Sequence, residues 1–231
     1  TMNNAEEYEN AVLDFVNSPA DSQVLSGFQF FKVFDEHQLE FVILARGDSD
    51  DVYMVGKIAS FQTQNLLVAY KERFDKDNFI KNLLLDNLLL VDIYNRSKKL
   101  RIDTDVRRIA VIIELNNDKE LNGLEIVRGI YTGKTKDFIT AVDEKSVIVV
   151  REVKENENYE ALTKSCKGLL DMLHGEGLTK CRIALGTIVH EIKDVSRSYK
   201  EAKMALDVGK IFYSERAIVA YSNCLLYTSP S

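Results

Sequence analysis

Hydrophobic and polar positions alternate most regularly in the second half of this 231-residue chain. Residues 107–115, RRIAVIIEL, are apolar at nearly every position, which is typical of a strand buried on both faces. Two short apolar runs, 138–141 and 147–150, flank the polar segment 142–146. Such a pair of runs around a short polar segment predicts a β-hairpin.

Helix-like patterns separate these strands. Residues 121–130 and 159–173 have apolar side chains at helical spacing, and each predicts an amphipathic helix. A further strand is predicted at the start of 181–209, a helix follows in the same stretch, and 217–221 predicts a last short strand. The order from residue 107 onward is therefore β-α-β-β-α-β-α-β, which fits an antiparallel-to-mixed sheet with helices packed on it.

The stretch 181–209, CRIALGTIVHEIKDVSRSYKEAKMALDVG, contains the clearest strand-to-helix transition. Gly186 interrupts the strand pattern and predicts a kink or a bulge. Ser196 stands at the position of a helix N-cap. The helix after it has an apolar face, and we expect Glu201 and Lys203 to face solvent. The apolar face comprises Tyr199, Ala202, Met204, Ala205 and Leu206.

The first fifty residues predict a small α/β module. Residues 5–17 have apolar side chains on one helical face, and Ser18-Pro19 ends the pattern. Apolar runs within 28–33 and 39–45 predict a strand pair joined by a polar turn. His37 lies in that turn, so we expect it to be an exposed loop histidine and not a catalytic one.

Three acids, Asp48, Asp50 and Asp51, follow the strand pair and allow two interpretations. They could begin a metal-binding loop, but no further ligands follow at a regular spacing. Acids in the first turn of a helix are stabilised by the helix dipole. We therefore interpret them as a loop and a helix N-terminus, and we predict no metal site.

Residues 51–100 contain no proline and a single glycine, Gly56, and they predict linking helices. The polar segment 75–78 is expected to separate two helices. Two hypotheses remain open for the exposed face of these helices: a seam between two copies of the chain, or packing on their own domains. The apolar positions that repeat at helical spacing are Val52, Val55, Ala59, Leu66, Tyr70, Ile80, Leu84, Leu88, Val91 and Ile93.

The charge of the chain argues against a nucleic-acid-binding surface within it. The formal net charge is −6, with a sequence pI near 5.3, whereas phosphate contacts need a concentrated basic face. Five cations near the start of the second half are expected to be a solvated surface. They are Lys98, Lys99, Arg101, Arg107 and Arg108.

Cysteines and apolar segments indicate the compartment. The three cysteines, Cys166, Cys181 and Cys224, are far apart and predict neither a disulfide framework nor a zinc site. No apolar run reaches the length of a membrane span, and the N-terminal residues are acidic and unlike a signal peptide. We expect a cytoplasmic protein without a membrane partner.

Three segments resemble a known protein family. DNLLLVDIYNRSKKLRI, RRIAVIIEL and RIALGTIVHEIKDVSRSYKEAKMAL are similar to the sugar-diacid (CdaR) and purine-catabolism (PucR) regulators, a family of bacterial transcription factors. The resemblance covers residues 78–226, and the segment Ser198–Ala202 is its most specific part. It implies a GGDEF-like domain over 101–226, with a ferredoxin-like, nucleotide-cyclase-type sheet.

The resemblance also implies the remaining domain organisation. Residues 1–50 look like part of a PAS- or GAF-like sensory module, and 51–100 would be the linking helices. The fold class that we predict is therefore α+β. Family members end in a helix-turn-helix DNA-binding domain, which this chain lacks, so DNA would be bound only through that missing domain. The final residues, 227–231, have no pattern.

Departures from the GGDEF pattern argue against catalysis. Active cyclases have two glycines and two acids on the central hairpin, whereas this chain has Val142-Asp143-Glu144-Lys145-Ser146. Glu114 stands near the position of the family's metal-binding aspartate, and we expect it to be solvated at a strand end. We therefore predict that the chain is not an enzyme, with no catalytic residue, no cofactor and no bound metal.

The function that the resemblance implies is a ligand-responsive transcriptional regulator. This chain would be its regulatory and dimerisation part, a homodimer that responds to a sugar diacid or another carboxylate. Arg46 and Lys57 lie in the half where donors for a carboxylate are expected. Two alternatives remain: a diverged nucleotide cyclase or nucleotide-binding domain using Glu114, Asp143 and Glu144, and a dimerisation scaffold that binds no effector.

Overall fold

A computed structural model describes residues 5–35, 37–115, 123–131, 136–178, 180–212 and 215–225. The chain divides into two compact units, Thr1–Phe74 and Asp75–Ser231. Each unit contains its own sheet, one of three strands and one of five. Both units combine helices with a mostly antiparallel sheet, so the fold class is α+β, as predicted.

The first unit contains a helix, an antiparallel sheet and most of a long helix. The sheet has the order β1-β2-β3. The predicted N-terminal helix and strand pair are both present, and β1 is an additional strand that the hydrophobic pattern did not reveal. The elements are α1 (Ala5–Asn17), β1 (Ser22–Leu25), β2 (Phe28–Asp35), β3 (Gln38–Arg46) and α2 (Asp50–Leu84).

Gly56 lets α2 lie directly against β2. A Cβ atom at Gly56 would lie 2.2 Å from the ring of Phe31, closer than any side chain could approach. The rings of Phe31 and Tyr53 are 5.7 Å apart between centroids, so the contact extends over the neighbouring turn of the helix. The only glycine of α2 therefore marks the face of α2 that packs on the sheet.

The prediction of two helices separated at residues 75–78 is wrong. α2 continues from Asp50 to Leu84 without interruption, and α3 (Leu90–Lys99) follows it. Asp, Lys and Asn are tolerated within a helix, and the buried pairs Phe79-Ile80 and Leu83-Leu84 continue the helical spacing beyond the polar segment. The helix ends instead where Asp86 adopts a positive φ of 57°.

The second unit has the predicted order of strands and helices. The five-stranded sheet has the order β5-β6-β4-β7-β8, with antiparallel pairing throughout except between β7 and β8. A 3₁₀ turn, Ile192–Asp194, precedes α6. The elements are β4 (Arg108–Leu115), α4 (Gly123–Ile130), β5 (Phe138–Ala141), β6 (Ser146–Glu152), α5 (Tyr159–Gly175), β7 (Cys181–Leu185), α6 (Val195–Phe212), β8 (Ile218–Ala220) and α7 (Tyr221–Leu225).

Helices cover both faces of the five-stranded sheet, which explains the nearly continuous apolar sequence of β4. Ala110 and Ile112 belong to a core that includes residues of α2, α3 and α6. Ile109 and Ile113, on the other face, belong to a core that includes residues of α4 and α5. No helix in the described ranges is both long enough and apolar enough to cross a membrane.

Several expectations for residues 181–209 need correction. Ser196 is not an N-cap, because the 3₁₀ turn leads into a helix that already begins at Val195, and Ser196 is buried. Met204 lies on the exposed side of α6 and not on its apolar face. Glu201 does not simply face solvent, because it accepts hydrogen bonds from the backbone N–H and the hydroxyl of Thr187.

Candidate functional site

A cleft of about 470 Å³ opens beside the C-terminal end of β4. The end of β4, the β5–β6 connection and one side of α6 form its walls. Glu114, Asp143 and Glu144, the three acids of the enzyme hypothesis, all line this cleft. The structure therefore brings Glu114 beside two acids that lie 29 and 30 positions later in the sequence.

Strand pairing positions the acids. β4 and β6 are antiparallel with Glu114 opposite Ser146, so Glu114 lies beside the connection that precedes β6. The backbone N–H of Leu115 donates to the carbonyl of Lys145 at 2.8 Å, which extends the pairing by one residue. Within the connection, the backbone N–H of Lys145 donates to Asp143 Oδ1 at 2.9 Å. One oxygen of Asp143 therefore already serves to hold the turn.

α6 contributes a stripe of residues that the sequence analysis did not assign to a site. Tyr199, Lys203, Leu206 and Lys210 recur at intervals of four, three and four, and all four line the cleft. Burial and the nearby charge of Asp143 raise the pKa of Tyr199, so the phenol stays protonated. Lys203 is exposed, as expected, and it also lines the cleft. The helical spacing of the two lysines was the signal that could have revealed them.

Glu114 is buried and ion-paired, so its interpretation as a solvated carboxylate was wrong. The residue is only 7% exposed, and its Oε1 accepts a hydrogen bond from Lys210 Nζ at 2.5 Å. A buried carboxylate is tolerated when it is paired, because its desolvation is otherwise very costly. One oxygen of Glu114 is therefore already engaged by a lysine.

The chemistry that the cleft can perform is limited by its residue types. The β5–β6 connection contains no glycine. Glycine lets a backbone approach a ligand closely, so this connection is less suited to such a contact. In the described ranges, no group of three or more His, Cys, Asp or Glu residues is arranged to hold a metal ion. The cleft can instead offer ammonium groups to an anion, since Lys203 and Lys210 both reach it.

Ser198, in the most specific segment of the family resemblance, has a structural role behind this cleft. Its side chain is fully buried, accepts a hydrogen bond from the N–H of Ala110 and donates one to the carbonyl of Thr187. A Cβ at Gly186 would lie 1.9 Å from the Ser198 carbonyl oxygen. Ser198 therefore joins α6 to the ends of β4 and β7, and Gly186 makes that close approach possible.

The remaining residues that the sequence analysis singled out lie outside the cleft. Asp50 and Asp51 form the first turn of α2, which confirms their interpretation as a helix N-terminus. His37 is exposed. Arg46 at the end of β3 and Lys57 on α2 are also exposed, and Lys57 Nζ lies 5.6 Å from the centre of the Tyr53 ring.

The basic cluster is only partly the solvated surface that we expected. Arg108 is buried, and it donates to the carbonyls of Asp103 and Val106. Arg107 donates to the carbonyls of Lys154, Glu155 and Glu157. The two arginines therefore fix loops of the second unit, because their donors are used within the chain.

Two cysteines, Cys166 and Cys181, are buried, and their thiols are expected to be unreactive. Burial raises the pKa of the Cys166 thiol to about 11, so its reactive thiolate form is scarce at neutral pH. Burial also raises the pKa of Cys181, whose Sγ donates to the carbonyl of Leu178. Cys224 was placed with these two in the sequence analysis, but its side chain lies outside the described part of the chain.

Comparison with protein families matches residues 87–208 to the family described as GGDEF-like domain. The match covers more than half of the chain and runs from just before α3 into the last turns of α6. It includes every residue that lines the cleft except Lys210, which lies two positions beyond the match. A search of curated proteins finds none that matches the chain.

Proposed function

Because the chain belongs to the family of GGDEF-like domains, we propose that it is the regulatory and dimerisation part of a CdaR/PucR-type transcription regulator. In this proposal the GGDEF-like domain has kept the cyclase-type sheet and has lost the cyclase chemistry. The first unit would sense a carboxylate effector, and DNA would be bound by a helix-turn-helix domain outside this sequence.

The observation that carries the proposal is the ion pair between Lys210 and Glu114. Glu114 stands near the position at which the resemblance implies a metal-binding acid in active cyclases, whereas here an ammonium group already pairs with it. The absence of glycine from the β5–β6 connection supports the same conclusion, because a connection without glycine lets its backbone approach a ligand less closely. The residue types on either side of the cleft therefore favour a non-catalytic domain.

A second candidate function is the binding of a phosphate-containing ligand in the cleft without turnover. The observation that favours it is the pair Lys203 and Lys210 on one side of α6, beside a cleft of about 470 Å³. A phosphate would compete with Glu114 for Lys210, so binding would exchange one ion pair for another. Such a site would make the domain a nucleotide sensor, which is compatible with a regulator.

Thermal unfolding of the whole chain with two sets of ligands tests these functions. One set contains sugar diacids and purine catabolites, and the other contains inorganic phosphate, GMP and GTP. A ligand that binds the folded state raises Tm, and the rise grows with the ligand concentration. The regulator proposal predicts a rise with a member of the first set, and a chain whose Tm no member changes would contradict it.

The Lys203→Gln variant separates the two candidates, because it removes one ammonium group from the cleft and leaves the Lys210–Glu114 pair intact. A rise in Tm with phosphate or GTP that this variant loses would establish the second candidate. The matched control is Lys167→Gln on α5, which changes an exposed lysine away from the cleft. An effector bound by the first unit should raise Tm equally in both variants.

A further inference from the structure

A second cleft, also of about 470 Å³, opens on the opposite face of the five-stranded sheet from the cleft beside β4. The end of α4, the residue before β5, the end of β6 and one side of α5 form its walls. We call it the α5 cleft, and its volume lies within the ~300–1,000 Å³ that is usual for small-molecule sites. The two clefts share no lining residue. Lining residues of the α5 cleft include Ile130, Tyr131, Asp137, Lys154, Leu169 and Met172.

An internal ion pair holds one side of the α5 cleft in place. Arg151 Nη2 donates to Glu157 Oε1 at 2.5 Å, and Arg151 Nη1 donates to the hydroxyl of Ser165 at 2.9 Å. The second oxygen of Glu157 accepts a hydrogen bond from the N–H of Lys154 at 3.4 Å. Because Arg151 and Glu157 neutralise each other, the charges that remain for a ligand belong to other residues of the cleft.

Asp137 provides negative charge in the α5 cleft. Phe138 pairs with Val150, so Asp137 lies beside the end of β6, where its Oδ1 accepts a hydrogen bond from the N–H of Glu152 at 3.0 Å. Neither Asp137 nor Glu152 forms an ion pair with a residue that the structure describes. Burial raises the pKa of Asp137, and the neighbouring carboxylates add to this shift. An ammonium group beside Asp137 would offset the cost of its charge.

The remaining lining residues provide a cation and an apolar surface. Lys154 lines the cleft, and its ammonium group forms no ion pair with another residue in the described ranges. Leu169 and Met172 are three positions apart on α5, and they line the cleft together with Ile130 at the end of α4. Burial raises the pKa of Tyr131, so its phenol stays protonated and can donate a hydrogen bond within the cleft.

We propose that the α5 cleft binds a free α-amino acid with an apolar side chain. The ammonium group of the ligand pairs with Asp137 and its carboxylate with Lys154, while its side chain contacts Leu169 and Met172. A ligand with only negative charge would meet the carboxylate of Asp137, and a simple amine would leave the ammonium group of Lys154 without a partner. This inference goes beyond the proposed function, because it adds a ligand site to the GGDEF-like unit.

Isothermal titration calorimetry of the whole chain tests the site with leucine and two of its fragments. Isoamylamine has the side chain and the amino group of leucine but no carboxylate, and 4-methylpentanoate has the carboxylate but no amino group. We expect leucine to bind with a dissociation constant on the order of 0.1 mM, because so small a ligand makes few contacts in an open cleft. Each fragment should bind roughly tenfold more weakly, because it loses one of the two charged contacts.

Two variants test the charged contacts separately. Asp137→Asn keeps an acceptor for the N–H of Glu152 but removes the negative charge, so it should weaken leucine binding roughly tenfold. Lys154→Gln should weaken leucine binding roughly tenfold as well, but it should leave the affinity for isoamylamine unchanged. A residue that only supported the fold would change both affinities alike. Lys154 is exposed, so its replacement does not put folding at risk.

The matched controls are Asp171→Asn and Lys167→Gln, which change exposed residues of α5 outside the cleft and should leave leucine binding unchanged. A chain whose heat of mixing and Tm are both unaffected by leucine overturns the proposal. Leucine binding that either cleft variant leaves unchanged also overturns it, and so does a fragment that binds as tightly as leucine. The regulator proposal is tested with other ligands and another variant, so the failure of one is distinguishable from the failure of the other.

Discussion

Gly186 and Ser198 show how single residues hold the GGDEF-like unit together. Ser198 uses its hydroxyl both as acceptor, from the N–H of Ala110, and as donor, to the carbonyl of Thr187. Gly186 provides the space for this contact, since a Cβ would lie 1.9 Å from the Ser198 carbonyl oxygen. The sequence predicted a kink or a bulge within the strand at Gly186, and this is wrong, because β7 ends at Leu185. It did not predict the helix that approaches Gly186, because residues 12 positions apart reveal no contact by themselves.

Gly186→Ala is expected to destabilise the chain by about 3 kcal/mol or more, because the new methyl group collides with the backbone of α6. The matched control is Gly168→Ala on the open side of α5, where a Cβ meets nothing within 4 Å. That substitution should stabilise the chain by about 0.5–1 kcal/mol through helix propensity. Urea unfolding of both variants measures the difference, and equal midpoints would contradict the close packing.

Asp137 gives a second prediction at the residue scale, through the dependence of stability on pH. Burial raises the pKa of Asp137 above 3.8, although its carboxylate accepts a hydrogen bond from the N–H of Glu152. A carboxyl group with a raised folded-state pKa contributes stability below its unfolded pKa and loses it as pH rises through the folded pKa. Relative to Asp137→Asn, the wild-type chain should therefore become less stable as pH rises above about 4.

Asp86→Asn is the control, because the pKa of Asp86 is shifted in the opposite direction to that of Asp137. Hydrogen bonds from Lys200 and from Ser196 lower the pKa of Asp86, so its contribution is present above the unfolded pKa and is lost as pH falls. Urea unfolding from pH 3 to pH 7 measures both differences. If the two variants differ from wild type by amounts that do not change with pH, both aspartates have ordinary pKa values in the folded chain.

At the scale of elements, the period of the apolar positions predicted most of the second unit. β4, with apolar residues on both faces, and the β5–β6 hairpin follow directly from strand patterns. The pattern did not predict that α2 is continuous. The four polar residues 75–78 resemble a break between helices when it is unknown which of their neighbours are buried. The end of α6 was missed as a cleft wall for a related reason: Lys210 meets Glu114 only because α6 packs on β4, and the sequence does not show this packing.

Phe79→Ala tests the part of α2 that lies beyond the predicted break. Phe79 is fully buried in the core that includes residues of α3 and α6, so the cavity should cost about 3–5 kcal/mol. Phe74→Ala, five residues earlier on the same helix, removes an exposed ring and should change stability by less than about 0.5 kcal/mol. Similar urea midpoints for the two variants would mean that α2 does not continue into this core.

At the scale of the whole molecule, the fold is observed directly, whereas the function is a proposal. The α+β class and the GGDEF-like domain follow from the sheet order and from the family match over residues 87–208. The sequence could name Glu114, Asp143 and Glu144 but could not predict that Lys210 pairs with Glu114. The two residues are 96 positions apart, on β4 and α6, and meet only in the folded unit.

The most direct test of the central claim is incubation of the whole chain with GTP and either Mg²⁺ or Mn²⁺, followed by chromatography of the products. We predict no cyclic dinucleotide and no release of pyrophosphate, because Lys210 already pairs with Glu114, the acid that we expected near a metal position. Turnover that Glu114→Ala abolishes, and that Glu160→Ala at an exposed position of α5 leaves unchanged, would contradict the claim.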